Sequence, residues 1–326
     1  MALSSLHAAS RFGKVAAARR ALDGGAQVDR PNKGGATPLL LASQNGRTEV
    51  ARLLLDRGAD VNKRSGPFGA TDGTTALHVA CEKGRIGVAT LCLDRGADIH
   101  LGDRYGATPL HLACFAGRVD LVLLCLDRGA TVDRGNFWGQ TPLFDACKAG
   151  HTDVARLCIE RGAEVDPAEH QPFYIACCYG HVDAARLCME RGADINRASA
   201  VTGRTPHDVA RHSGHPAMAA WLARILAAGG WTRYISESRY KLVVLRELVA
   251  RGRARRERVF PFAKEQTPLY GQEHIVDLLF PGDHARIDQP RLPDELFAII
   301  VGYYSGDSLS VEDKAAETYY SSGFDY

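Results

Sequence analysis

The sequence predicts an all-α solenoid, in which short antiparallel helices pair and stack, β-hairpin fingers link the pairs, and a helical C-terminal region follows. Three observations carry that expectation. Two series of glycines recur at a nearly constant interval, Thr-Pro pairs precede several members of the first series, and the apolar residues between glycines fall at helical spacing.

The first glycine series is Gly13, Gly46, Gly84, Gly117, Gly150, Gly180 and Gly214, and the second is Gly25, Gly58, Gly96, Gly129, Gly162 and Gly192. The steps from Gly13 to Gly46, Gly84 to Gly117 and Gly117 to Gly150 are each 33 residues, while one step is 38 and another 30. An interval of that length holds two short helices and a turn, so each reads as one helical hairpin.

Each element has a local cause. Thr37-Pro38, Thr108-Pro109, Thr141-Pro142 and Thr205-Pro206 place a hydroxyl at a helix N-cap and a proline at the first helical position, where its missing N–H removes no bond. The first helix runs through Leu-His-x-Ala, as in Leu110 to Ala113, and stops at the first glycine series. Glycine accepts the left-handed conformation that closes a helix. The second helix, for instance Val50 to Arg57, carries Val50, Leu53 and Leu54 on one stripe and ends at the second glycine. The following Ala-Asp-Val-Asn, or Ala-Asp-Ile-His, predicts an extended finger that turns back at the next unit. Two short helices and a finger cannot bury their own apolar faces, so neighbours must stack.

The pattern Gly-x-Thr-Pro-Leu-His-x-Ala, continued by Gly-x7-Leu-x3-Gly-Ala-Asp, resembles the ankyrin repeat. It fills residues 1–229 in seven copies, legible from residue 2, and Gly106 to Trp138 is the most complete. The resemblance implies a scaffold that binds another protein. It also implies satisfied structural hydrogen bonds for His7, His78 and His111 in the Leu-His position, and for His151, His181 and His215 after the first-series glycine.

Several copies depart from the pattern. The first has Ser4-Ser5 in place of Thr-Pro but keeps Leu6, His7 and Ala8, so the basic N-terminus reads as a capping repeat rather than a mitochondrial transit peptide. An insertion near 64–72, from Arg64 to Asp72, lengthens the finger between the second and third copies. The finger between the fifth and sixth is shortened, with Gln171-Pro172 replacing Thr-Pro, and the seventh copy has His207 where Leu is usual.

Composition narrows the function classes. Lys and Arg number 40 against 38 Asp and Glu, a net charge of +2, so no global field draws the chain to nucleic acid or acidic membrane. No apolar run reaches the length of a membrane span. Nine cysteines without a secretory signal suggest a reducing compartment, cytoplasmic and, given the basic run described below, nuclear as well. Cys81, Cys114, Cys147 and Cys177 share one repeat position, and Cys92, Cys125, Cys158 and Cys188 share another, which predicts two ladders of buried thiols rather than a metal or disulfide site. Cys178 adds an exposed-thiol candidate. The group His207, His212 and His215 lacks a completing carboxylate or thiol. No phosphate loop, nucleophile turn or acid–base constellation occurs, so an enzyme is not expected, and neither is a cofactor.

Specificity belongs to the positions that the repeat leaves free. At the ends of the first helices these include Gln44, Asn45, Glu82, Lys83, Phe115, Lys148 and Tyr179, and at the finger tips Arg104, Tyr105, Phe137 and Trp138. Aromatic side chains often dominate interfaces, which makes Tyr105, Phe115, Phe137, Trp138 and Tyr179 candidate partner anchors. The competing expectation is that the finger-tip rings pack on the next finger.

Beyond residue 230 the pattern stops. Residues 230–304 are expected to form a helical cap or an F-box-like region, and the acidic segment 305–326 a flexible tail. Ile235 to Arg256 reads as a helix, with Leu242, Leu245, Leu248 and Val249 at helical spacing. Arg251, Arg253, Arg255, Arg256 and Arg258 gather at its end, either complementing the helix dipole or forming a nuclear-localisation or acidic-partner patch. Leu292 to Ile300, followed by Tyr303-Tyr304, resembles the first helix of an F-box, with Leu292, Pro293, Leu296 and Ile300 as candidate adaptor-docking residues. That resemblance implies a second function, substrate recognition for a cullin-type ubiquitin ligase. A relation to the SOCS box is weaker, since its cysteine and spacing are missing.

Overall fold

The computed structural model describes residues 2–66, 73–167 and 171–236. Residues 67–72 of the insertion, residues 168–170, nearly all of the segment expected as an Arg-rich helix, the segment that resembles an F-box and the acidic segment 305–326 lie outside the described residues. The chain divides into two units, Met1–Trp231 and Thr232–Tyr326, and the structure below is that of the first.

Helices follow one another in pairs: α1 (Ala2–Phe12) and α2 (Val15–Asp23), α3 (Pro38–Gln44) and α4 (Thr48–Asp56), α5 (Ala76–Lys83) and α6 (Ile86–Asp94), α7 (Pro109–Phe115) and α8 (Val119–Asp127). The remainder are α9 (Pro142–Ala149) and α10 (Thr152–Glu160), α11 (Pro172–Tyr179) and α12 (Val182–Glu190), α13 (Pro206–His212) and α14 (Pro216–Ala227). Odd-numbered helices pack closely on one another down the stack, whereas the even-numbered ones from α2 to α12 touch more sparsely. Leu6, Leu39, Leu77, Leu110, Leu143 and Phe173 occupy one repeat position on the odd helices and are buried to within 2% of their surface. In the last copy His207 takes that place and stays partly exposed, 3.6 Å from Asp208.

The odd helices start as the Thr-Pro pairs dictate. Thr37 and Thr141 accept the backbone N–H three residues on, from Leu40 at 3.2 Å and Phe144 at 3.3 Å. At α5 and α7 the cap is reciprocal: His78 Nδ1 lies 2.8 Å from Thr75 Oγ1 and accepts its backbone N–H, and His111 does the same at Thr108. Gln171 makes no side-chain cap at α11.

Both glycine series have positive φ, and they differ in what surrounds them. A Cβ on Gly58, Gly96, Gly129, Gly162 or Gly192 would meet open space. One on Gly13, Gly46 or Gly84 would run into the arginine of the next unit, Arg47, Arg85 or Arg118, and one on Gly117, Gly150 or Gly180 into the ring of His151, His181 or His215. The residue that precedes each even helix therefore lies on the glycine of the unit before. Successive even helices are also tied by ion pairs at their ends, Arg57 to Asp23, Arg95 to Asp56, Arg128 to Asp94 and Arg161 to Asp127, each at 2.8–2.9 Å. All are partly exposed, so each contributes at most about 1 kcal/mol.

The fingers stand where the sequence puts them, yet no β-strand occurs among the described residues. Among the described residues, the fingers at Asn32, Asp103 and Asn136 close as tight turns. Asp103 N donates to Ala107 O at 2.9 Å while Asp103 Oδ1 accepts from Tyr105 N at 2.8 Å and Ala107 N at 2.9 Å. Asn32 and Asn136 repeat the arrangement. A side-chain oxygen that mimics a turn carbonyl competes with strand pairing, which is why the expected β-hairpin shrinks to an Asx turn. On either side of residues 67–72, Ser65 N donates to Thr74 O at 2.8 Å and Thr74 N to Ser65 Oγ at 3.1 Å.

Candidate functional site

The turns of the third and fourth fingers bring four of the singled-out side chains together. Tyr105 and Trp138 stack with ring centroids 5.4 Å apart and planes 29° from parallel. The Arg104 guanidinium lies 4.6 Å above the Tyr105 ring. Phe137 N donates to Tyr105 O at 2.9 Å, and its ring covers Gly106, whose φ of 78° no side chain would tolerate there. The rings thus pack on the neighbouring finger and still face solvent: Tyr105 is 42%, Trp138 54% and Phe137 77% exposed. The expected packing on the next finger is present, and it leaves much of each side chain open because a turn only a few residues wide covers one face of a ring.

The ends of the odd helices carry the other candidates. Phe115 ends α7 and is half exposed, and Tyr179 ends α11, stacked against His181 at 6.3 Å. Lys148 lies in the intervening helix α9, so these two rings stand two units apart. Gln44 is exposed. Asn45 directs its amide to Leu41 O at 2.8 Å and so closes its own helix. Glu82 and Lys83 bind each other at 2.7 Å.

One carboxyl escapes notice in the sequence. Asp145 occupies the α9 position that Leu41, Leu112 and Ile175 fill in neighbouring copies, and burial pushes its pKa up to about 7, with Lys148 opposing and Asp103 reinforcing the shift. The signal that could have found it is an acid at an otherwise apolar repeat position. Asp103 and Asn136 were likewise unmarked, although an Asp or Asn three residues before a glycine, as at Gly35, Gly106 and Gly139, is a turn signature.

Buried histidines serve the stack. His78 Nε2 lies 3.1 Å from Ala107 O and His111 Nε2 3.0 Å from Gln140 O, joining each odd helix to the next finger. Burial lowers the His78 pKa to about 4 and lowers that of His111. The cysteine ladders interleave: Cys81 Sγ lies 3.8 Å from Cys125 Sγ, Cys114 3.6 Å from Cys158, and Cys147 3.8 Å from Cys188. All nine cysteines are free thiols, and only Cys178 is not buried. Hydrogen bonding to Cys125 and burial push the Cys81 thiol up, and burial takes Cys92 up to about 12. Among the described residues no three metal-ligating side chains converge, and no helix is long and apolar enough to cross a membrane.

A family profile described as "Ankyrin repeats" matches in three copies, over residues 2–65, 66–136 and 123–199. Among solved structures, the ankyrin repeat domain of human ASB11 is similar, with a TM-score of 0.58 and 25% sequence identity, covering 67% of this chain and 96% of that one. No curated protein sequence matches the chain significantly.

Proposed function

Since the chain belongs to the ankyrin-repeat family, whose members generally act as protein-interaction modules, we propose that it binds a partner protein through its third and fourth fingers and the adjoining ends of the odd helices. Counting each helical hairpin as one repeat gives seven. One observation carries the proposal: Tyr105, Phe137 and Trp138 gather on two adjoining, internally hydrogen-bonded turns with a large share of each residue open to solvent. Pre-ordered rings of this kind lose little entropy on binding and supply interface energy. Phe115, Tyr179, Lys148, Gln44 and the Glu82–Lys83 pair extend the surface along the helix ends. Free thiols fit a reducing compartment, cytoplasmic or nuclear.

The test is affinity capture from native lysate with the full chain and with its Y105A/F137A/W138A variant, identifying what each retains. Loss of specific partners by the variant, with an unchanged thermal melt, is the expected result. An identical partner set removes this surface from consideration.

A second reading rests on the sequence of Leu292 to Ile300, which resembles the start of an F-box: the repeats would choose a substrate and Leu292, Pro293, Leu296 and Ile300 would dock a ubiquitin-ligase adaptor. Under it, L296D/I300D loses adaptor subunits from the captured set while the aromatic-dependent partners stay.

A further inference from the structure

One acid of the stack has no internal use. Asp145 of α9 holds a repeat position that is apolar in every other copy: Ala8, Leu41, Val79, Leu112, Ile175 and Val209. The position lies on the column of odd helices, and α9 packs there between α7 and α11. Leu112, Asp145 and Ile175 are each partly exposed, so three successive helices present a stripe that is apolar at both ends and ionisable in the middle.

Polar side chains elsewhere on these helices are spent within the fold. Thr141 caps α9, His111 joins α7 to the next finger, and Asp208 accepts the Thr205 hydroxyl at 2.7 Å. Asp145 makes no such bond among the described residues: burial and through-space charge act on it, and no hydrogen bond does. A carboxylate stripped of water and given no donor costs stability. A local rule broken without internal gain marks a functional position.

Two neighbours fix where this acid stands. Its charge reaches the buried Cys114 thiol of α7, and the Asp103 charge reaches it in turn. Asp103 Oδ1 accepts the amides of Tyr105 and Ala107 at 2.8 and 2.9 Å. Asp145 is therefore within electrostatic reach of the turn that carries Tyr105.

We propose that Asp145 is a specificity residue, receiving a lysine or arginine side chain of a partner-protein segment that lies across α7, α9 and α11 beside the third finger. The inference rests on the protein-binding function above and names the chemistry that this part of the surface takes. Charge complementarity carries it. An incoming cation supplies the donors that the carboxylate lacks, and Leu112 and Ile175 on the flanking helices offer apolar ground to its aliphatic stem. Asp103 adds to the attraction, and Lys148, three residues along α9, opposes it.

The experiment measures anisotropy of two labelled probes, a random Lys–Tyr copolymer and a random Glu–Tyr copolymer, with the full chain at pH 8, above the pKa of about 7 that burial gives the acid. The Lys–Tyr probe is expected to bind more tightly. D145N, which keeps the shape and removes the charge, should weaken it by about fivefold or more, and D145K should reverse the preference. D145L, which installs the residue found at Leu112, should bind the Lys–Tyr probe as weakly as D145N while melting at a higher temperature than the wild type. Greater stability with weaker binding is a divergence that a purely structural acid would not produce, and it decides the question even if D145K fails to fold. Tighter binding of the Glu–Tyr probe by the wild type, or Lys–Tyr binding that D145N and D145L leave unchanged, overturns the proposal. No binding by either probe, while lysate partners still depend on Tyr105, Phe137 and Trp138, overturns the basic selection and leaves the protein-binding function standing; if those partners are also indifferent to the three aromatics, both fall.

Discussion

His78 and His111 each use both ring nitrogens, Nδ1 to cap their own helix and Nε2 to reach the carbonyl of the next finger. Accepting at Nδ1 and donating at Nε2 requires the neutral ring, and burial enforces it, holding His78 at about 4. Between about pH 6.5 and 4 the unfolded chain takes up a proton that the folded ring refuses, so stability is fully present above that window and is lost as pH falls through it. H78L, which installs the residue found at the equivalent Leu40, should lower stability at pH 7 by about 1–2 kcal/mol through its lost bonds. It should also flatten the dependence of the urea midpoint on pH below 6.5. A midpoint that moves as steeply with pH in H78L as in the wild type would assign the acid sensitivity to other groups. Asp145 works in the opposite direction: its folded pKa is raised to about 7, so stability is lost as pH rises from about 4 to 7. D145L, matching Leu112, should therefore gain stability over the wild type that grows between pH 4 and pH 8, on the order of 1 kcal/mol for a half-buried carboxyl. The structural role of the Leu-His histidines was legible in the sequence through their repeat position. Asp145 was not, because its consequence comes from the apolar residues that stacking places around it.

At the scale of the helical hairpin, the two glycine series look alike in sequence and differ in the structure. Both close a helix at positive φ, but only the first is covered by the next unit. An alanine at Gly129, with φ of 89° and open space around it, should cost about 1–2 kcal/mol for the backbone alone. An alanine at Gly117 would also place its Cβ 2.7 Å from the His151 ring, adding about 1–3 kcal/mol of overpacking. Denaturant unfolding of G117A, G129A and G117A/H151A tests this: G117A should lose more than G129A, and H151A should recover part of the difference. Equal losses at the two glycines would mean that the stack shifts freely around the contact. A sequence signal for this contact was present, since Arg47, Arg85, Arg118, His151, His181 and His215 each follow a first-series glycine. It could not be interpreted without knowing that equivalent positions of adjacent units meet. The fingers show the reverse case, where Asp103 and Asn136 satisfy locally the backbone groups that a β-hairpin would have paired across strands. The placement of Tyr105 and Trp138 at the tips was legible from the period alone, whereas their mutual stacking depends on the turn geometry.

Across the whole stack, the cysteines report how the units are coupled. Their 33-residue recurrence predicted ladders within each helix column, and the sulfurs instead meet between columns, from Cys81 of α5 to Cys125 of α8, Cys114 of α7 to Cys158 of α10, and Cys147 of α9 to Cys188 of α12. Each pair bridges an odd helix and the even helix of the following unit, so separating any two units from the third through the sixth breaks a buried contact. Thiolate attack requires a deprotonated, accessible sulfur; burial denies access to all eight ladder cysteines and also pushes the thiols of Cys81, Cys92, Cys114, Cys147 and Cys177 up. Treatment of the native chain with an aromatic disulfide reagent near pH 7.5 should therefore label Cys178 quickly and the other eight only as the structure opens. A solenoid is held by nearest-neighbour interfaces, and its units open together only if the interfaces are strong relative to each unit's own stability. With interleaved thiol pairs linking successive units, the slow cysteines should react in one phase at a rate that tracks global unfolding in denaturant. A graded series, with Cys177 and Cys188 released before Cys81 and Cys92 or the reverse, would show instead that the stack frays from one end and that the thiol contacts do not couple the units.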